Sequence, residues 1–120
     1  MGWSKAWLPK KPGAQAKPKA RRGVMNKEEA DFARILSLRP GVKRVVFEAV
    51  TLHIGGGAKY TPDLVAFMHD GTIAIFEVKG FRETASIVRL KVATGLFPEI
   101  PFTLAEFDRK SGWTEKRMLP

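Results

Sequence analysis

Charged residues at the ends of two apolar segments constrain this chain more than any other feature of its sequence. Asp63 opens the apolar segment 63–68, and Glu77 and Lys79 close the segment 72–79. Both segments have the composition of buried strands, where ionised groups are rare unless they are paired or functional. Because side chains alternate along a strand, Glu77 and Lys79 share a face, which Asp63 can also reach if the strands pair as an antiparallel hairpin.

This arrangement predicts a metal site. The carboxylates of Asp63 and Glu77 and the backbone carbonyl of Val78 are hard oxygen ligands of the kind that Mg²⁺ prefers, and Lys79 adds a nearby positive charge. The alternative is a structural cluster of ion pairs on an exposed sheet face. That alternative has to explain three charges at the apolar centre of the chain and the adjacent Pro62, which bends the strand at the carboxylate.

The net charge of +9 indicates a polyanionic partner, but it is unevenly distributed. Residues 1–25 contain seven of the 21 basic side chains and no acid, so the other 95 residues carry 14 basic and 12 acidic side chains, a net charge of +2. The length predicts one domain. The absence of cysteine excludes a disulfide framework or thiolate metal site. No run approaches the roughly 18 to 20 apolar residues of a membrane span, so we expect a soluble, cytoplasmic protein without membrane contact.

Residues 1–23 are rich in Pro, Gly, Ala, Lys and Arg, and we interpret them as a flexible basic arm ahead of a domain at 24–120. One interpretation is contact with the DNA backbone; the other is a solvated terminus that only aids solubility. Trp3 and Trp7 can stack on bases or pack on the domain. The candidate DNA contacts of the arm are Lys17, Lys19, Arg21 and Arg22.

The predicted order of elements is α-β-β-β-α-β, an α/β (α+β) fold with a mixed central sheet flanked by helices. Asn26 and Glu29 form a capping box that starts the first helix, and Pro40 ends it. Strands are predicted over 42–54, 59–68, 72–78 and 102–107, with a helix over 82–97 and a turn followed by a short basic end after 110.

The second helix has an apolar stripe and a polar stripe. The wide apolar stripe, expected to pack on the sheet, consists of Ala85, Val88, Val92 and Leu96 together with Ile87 and Leu90. On the other side, Arg82, Ser86 and Arg89 form either a solvated face or an edge that binds phosphate. Lys91 is also a candidate DNA contact, but it lies about 200° around the helix from Arg89 and serves a separate one.

Two further assignments concern isolated residues. Glu29 either stabilises its own helix or leans towards the metal, and its neighbour Glu28 competes for the second role. His53 and His69 are lone histidines near strand ends, and we assign them no catalytic role.

Placed on these elements, the four charged residues make the chain resemble a PD-(D/E)xK nuclease with a restriction-endonuclease-like core. The strings at 26–32, 60–63 and 76–80 are similar to a phage-encoded branch related to the endonuclease I type of Holliday-junction resolvase. The resemblance covers roughly residues 24–108. It implies that Glu29, Asp63 and Glu77 are the acidic site residues, that Lys79 activates water or steadies the phosphate, and that the protein is a homodimer.

The expected function is therefore a Mg²⁺-dependent DNA endonuclease, with Mn²⁺ able to substitute. The resemblance implies selectivity for branched DNA such as Holliday junctions, during phage recombination or DNA processing in the host cytoplasm. Two alternatives remain: a non-catalytic DNA-binding protein that keeps the nuclease fold, and an RNA-binding protein with a basic tail. The second leaves the buried carboxylates without a role.

Overall fold

The structure, a computed structural model, describes residues 23–80 and 85–120, so residues 1–22 of the proposed arm and Arg82 lie outside it. Two helices and seven strands follow one another along this part of the chain. In order they are α1 (Lys27–Ser37), β1 (Val42–Phe47), β2 (Leu52–Gly55), β3 (Ala58–Tyr60), β4 (Leu64–Met68), β5 (Ile73–Lys79), α2 (Ala85–Leu96), β6 (Phe102–Asp108) and β7 (Gly112–Met118). No helix in these two ranges is long and apolar enough to cross a bilayer.

Five strands form a mixed sheet in the order β1-β4-β5-β6-β7. Only the β5–β6 pair is parallel, and α2 connects these two strands. Side chains from alternate positions of β4 and β5 feed two hydrophobic clusters. Phe32 and Leu36 of α1 belong to one cluster, and Leu90 and Ala93 of α2 belong to the other. The predicted α/β class, with a mixed sheet and two helices, is confirmed.

The first two predicted strands were wrong in their extent, because each is interrupted. Strand 42–54 divides into β1 and β2, and strand 59–68 divides into β3 and β4 around the buried Pro62. The extra strands β2 and β3 pair as a separate two-stranded sheet, with positive φ at Gly55, Gly56 and Gly57 in the turn. This hairpin packs against α2 and carries Tyr60 into the core.

The sequence analysis missed β7 and assigned Trp113 to a turn. The strand is largely polar because it is a sheet edge, and its alternation is therefore weak. It is attached to α1 and to the turn after it: the Trp113 ring lies 4.9 Å from the Phe32 ring of α1, and Arg39, just beyond the helix, forms an ion pair with Glu115.

The predicted buried stripe of α2 was right in part. Leu90 is fully buried and Ile87 packs beside it, but Val88, Val92 and Leu96 are 59%, 41% and 52% exposed. The stripe was wide enough to include residues on both sides of the helix, so helical periodicity alone could not identify the side that faces the sheet.

Candidate functional site

The predicted charged residues meet at one end of the central sheet. Strands β4 and β5 are antiparallel, so Asp63, directly before β4, lies beside the last residues of β5. Glu77 and Lys79 point to the same face of β5, as alternation predicts, and Lys79 Nζ lies 3.5 Å from Glu77 Oε2. Glu77 is 3% exposed and Lys79 is 2% exposed, which excludes the alternative of ion pairs on an exposed sheet face.

The position of Asp63 is fixed through both its side chain and its backbone. Its Oδ2 accepts a hydrogen bond of 2.8 Å from the Val78 backbone N–H. Its backbone carbonyl accepts one of 2.8 Å from the N–H of Glu48, a residue with a φ of +50°. A non-glycine residue in this left-handed region is costly, and such strain is frequent beside functional sites.

Burial and neighbouring carboxylates raise the pKa of two acids in this cluster. The pKa of Asp63 rises to about 7, first because the group is buried and then because the Glu77 charge lies close to it. The pKa of Glu29 also rises to about 7, through burial and then through Asp63, against the lowering effect of the Asn26 backbone N–H. Burial raises the pKa of Glu77, while the hydroxyl of Tyr60 and the charge of Lys79 oppose that rise.

Glu29 satisfies both of the interpretations that its sequence position left open. Its Oε1 accepts from the Asn26 backbone N–H at 2.8 Å, and its own N–H donates to Asn26 Oδ1 at 2.8 Å, which completes the capping box. The same carboxyl group is close enough to Asp63 to shift its own pKa. Its neighbour Glu28 lies elsewhere, in the wall of a cavity.

Tyr60 is a site residue that the sequence analysis did not identify. Its hydroxyl donates a hydrogen bond of 2.5 Å to Glu77 Oε1, and the residue is 2% exposed. Burial and the Glu77 charge raise the pKa of Tyr60, so it remains a donor. The available signal was a single tyrosine three residues before Asp63, because a buried tyrosine hydroxyl requires a polar partner.

The helix α2 contributes Ser86, whose hydroxyl is in hydrogen-bond contact with Lys79 Nζ. Ser86 is half-buried and faces the site, so its predicted place on a polar stripe opposite the core was wrong. Arg89 and Lys91 are exposed on the same helix, where they are available to a partner. The remaining candidate contacts, Arg82, Lys17, Lys19, Arg21 and Arg22, lie outside the described residues.

The oxygen donors of the cluster suit a divalent cation, although they are few. Among the described residues, no group of three or more His, Cys, Asp or Glu side chains is arranged as a metal site. Two carboxylates, from Asp63 and Glu77, are available together with a carbonyl. The N–H and C=O of one strand residue point to the same side, so the Val78 carbonyl faces the side where its N–H meets Asp63.

Charge balance also favours a cation at this position. The cluster contains the carboxyl groups of Glu29, Asp63 and Glu77 and the single ammonium group of Lys79. Full ionisation would therefore leave two uncompensated negative charges in a largely buried place, which is costly. A divalent cation has the charge that balances them.

A cavity of about 430 Å³ adjoins the acidic cluster but does not include it. Its walls are formed by Glu28, Gly80, Phe107, Asp108 and Arg109. Gly80 directly follows Lys79, and Glu28 directly precedes Glu29, so the cavity lies one residue away from the cluster along both elements. Phe107 is on the α1 face of the sheet, whereas Lys79 contacts Ser86 on the α2 face.

Comparison of the chain with protein-family models, curated proteins and solved structures gave no significant match.

Proposed function

We propose that this chain is a metal-dependent DNA endonuclease with a restriction-endonuclease-like core. The observation that carries the proposal is the buried Glu77–Lys79 pair, whose charged atoms are 3.5 Å apart, with Asp63 beside it at the end of the sheet. A carboxylate and an ammonium group on one strand face, next to a second carboxylate, are the parts required for hydrolysis of a phosphodiester.

The residues of the cluster divide between metal binding and activation of water in this proposal. Asp63, Glu77 and the Val78 carbonyl would hold Mg²⁺ or Mn²⁺. The bound ion would supply Lewis acidity at the scissile phosphate and make water easier to deprotonate. Lys79 would orient the attacking water and offset the negative charge that develops on the phosphate.

The supporting residues hold this geometry. Tyr60 orients Glu77, Ser86 orients Lys79, and the Val78 N–H orients Asp63. Glu29 would accept a proton or position the water beside Asp63, in agreement with its raised pKa.

DNA is the proposed substrate because the chain carries a net charge of +9, most of it in residues 1–25. None of the cluster residues provides base recognition, so selectivity would depend on DNA shape, with phosphate contacts from Arg89, Lys91 and the basic arm. Symmetric cleavage of a four-way junction requires two sites, whereas the described part of the chain contains one such cluster. We therefore propose a homodimer for junction substrates.

Cleavage assays test the proposal directly. Purified protein is incubated with supercoiled, linear and four-way-junction DNA in Mg²⁺, Mn²⁺ or EDTA. We expect cleavage only with metal, and a loss of at least about 100-fold in rate for Asp63→Asn and Glu77→Gln. Asp70→Asn is the matched control, because Asp70 is an exposed acid in the turn before β5.

Two results would contradict the proposed nuclease activity. The first is the absence of cleavage with any divalent metal, and the second is equal cleavage by wild type and Asp63→Asn. Retained DNA binding without cleavage would instead support the alternative of a non-catalytic DNA-binding protein.

A further inference from the structure

The cavity beside the acidic cluster, here called the Phe107 cleft, is lined by Glu28, Gly80, Phe107, Asp108 and Arg109. Its volume of about 430 Å³ is in the range of small-ligand sites. The cleft begins at Gly80, one residue beyond Lys79, so it lies at the same end of the sheet as the cluster. None of the proposed chemical roles uses its residues.

One wall of the cleft is an exposed aromatic ring with firm support. Phe107 is 37% exposed, and its ring lies 5.3 Å from that of Trp113. Trp113 in turn lies 4.9 Å from the fully buried Phe32. Three rings therefore connect the hydrophobic core to the cleft and hold Phe107 in place. A supported, partly exposed ring is the kind of surface on which nucleobases stack.

The polar walls carry both signs of charge. Arg109 is an exposed guanidinium group suited to a phosphate, whereas Glu28 and Asp108 are acids that would repel one. The Oδ1 of Asp108 accepts from the Lys110 backbone N–H at 2.7 Å, which leaves Glu28 as the more available acceptor. A carboxylate accepts hydrogen bonds from the exocyclic amine of a base, as in the pairing of Glu with cytosine N4.

These features fit an unpaired nucleotide better than they fit an intact duplex. A paired base has no accessible face for Phe107, and the phosphates of a duplex would meet the carboxylates of Glu28 and Asp108. An unpaired nucleotide presents an aromatic face, an amine and a phosphate at the same time, and each of these has a partner in the cleft.

We propose that the Phe107 cleft binds one unpaired nucleotide of DNA, with its base stacked on Phe107, its amine on Glu28 and its phosphate on Arg109. The proposal rests on the nuclease function, since it gives the cleft the nucleotide that flanks the scissile phosphate. It would give the protein a preference for DNA with unpaired bases without any base recognition in the cluster.

Binding is measured without cleavage, so that the two proposals can fail separately. Full-length Asp63→Asn in EDTA is titrated by fluorescence anisotropy with a paired duplex and with the same duplex carrying a bulge of unpaired adenines, one replaced by a fluorescent analogue. We expect the bulged DNA to bind about tenfold more tightly and the analogue to change its fluorescence.

Variants made in the same Asp63→Asn protein test whether the unpaired nucleotide binds in the Phe107 cleft. Phe107→Leu keeps an apolar contact with Trp113 but has no aromatic face. It should therefore lose the preference for bulged DNA and the change in fluorescence of the base analogue. Phe107→Trp should restore both. Arg109→Ala is compared with Lys110→Ala, which removes an equal charge from an exposed neighbour outside the lining of the cleft. We expect only Arg109→Ala to reduce the preference for bulged DNA.

Two results would overturn the cleft proposal: equal binding of paired and bulged DNA, or a full preference and fluorescence change in Phe107→Leu. Neither depends on catalysis. If wild type cleaves no DNA but the preference depends on Phe107, the nuclease proposal fails and the nucleotide site stands.

Discussion

Substitution of Asp63 by Asn should stabilise the metal-free protein at pH 8. The pKa of Asp63 rises from 3.8 to about 7 in the fold, because the group is buried beside Glu77. Each pKa unit corresponds to about 1.4 kcal/mol, so the ceiling on the cost of ionising Asp63 is about 4 kcal/mol. Partial exposure and coupling to the other carboxylates reduce this to an expected gain of about 2 kcal/mol. Asparagine has the same shape and can still accept from the Val78 N–H, so packing is preserved.

The stability gained by Asp63→Asn should increase with pH. Below pH 4, Asp63 is protonated in both the folded and unfolded chain, so wild type and Asp63→Asn should be similar in stability. Between pH 4 and 7 the unfolded chain releases this proton while the folded chain retains it, so wild type progressively loses stability. Above pH 7 the difference should reach its maximum. For a domain of this size, about 2 kcal/mol corresponds to roughly 10 °C in Tm.

Thermal unfolding followed by circular dichroism in EDTA, from pH 4 to pH 8, measures the difference. Asp70→Asn is the control of opposite sign, because hydrogen bonds from Thr72 lower the pKa of Asp70 and the substitution removes a stabilising charge. Addition of Mg²⁺ at pH 8 should raise the Tm of wild type but not of Asp63→Asn. If Asp63→Asn lowers Tm equally at pH 4 and pH 8, the argument from buried charge is refuted.

Three other substitutions or deletions test separate parts of the structure. Tyr60→Phe should weaken Mn²⁺ binding about tenfold, measured by electron paramagnetic resonance, because Glu77 loses its donor; unchanged affinity would show that Tyr60 does not position this ligand. Asn26→Ala should lower the free energy of unfolding by about 1 kcal/mol, measured in urea, because the capping box is lost. An unchanged free energy would show that packing alone stabilises α1. Deletion of residues 1–23 should flatten the dependence of DNA affinity on salt, and an unchanged slope would indicate a solvated terminus.

The charged cluster was predictable from sequence because it depends on local rules. Alternation along a strand placed Glu77 and Lys79 on one face, and antiparallel pairing brought Asp63 beside them. The capping box of Asn26 and Glu29 is equally local, since it depends on residues three apart. These features required no knowledge of how distant parts of the chain pack.

The residues that support the cluster depend on such packing and were missed. Tyr60 reaches Glu77 only because β3 separates from β4 and joins a small hairpin, which the apolar run 59–68 does not reveal. Ser86 faces Lys79 because α2 buries Leu90 and exposes Val88, and the wide apolar stripe of the sequence contains both. Trp113 was assigned to a turn because an edge strand needs few apolar residues.

The energetics of the cluster argue that it has a chemical role rather than a structural one. A buried ion pair is often no more stabilising than apolar side chains of similar volume, because desolvation offsets the attraction between the charges. Here the balance is less favourable still, since three carboxyl groups share one ammonium group and burial raises the pKa of Asp63 and Glu29 to about 7. Apolar residues at positions 77 and 79 would continue the hydrophobic cluster to which Ile75 contributes on the same face of the sheet. Glu77 and Lys79 in this buried place therefore lower the stability of the fold. We propose that they are retained because they bind a cation and a phosphate at this end of the sheet.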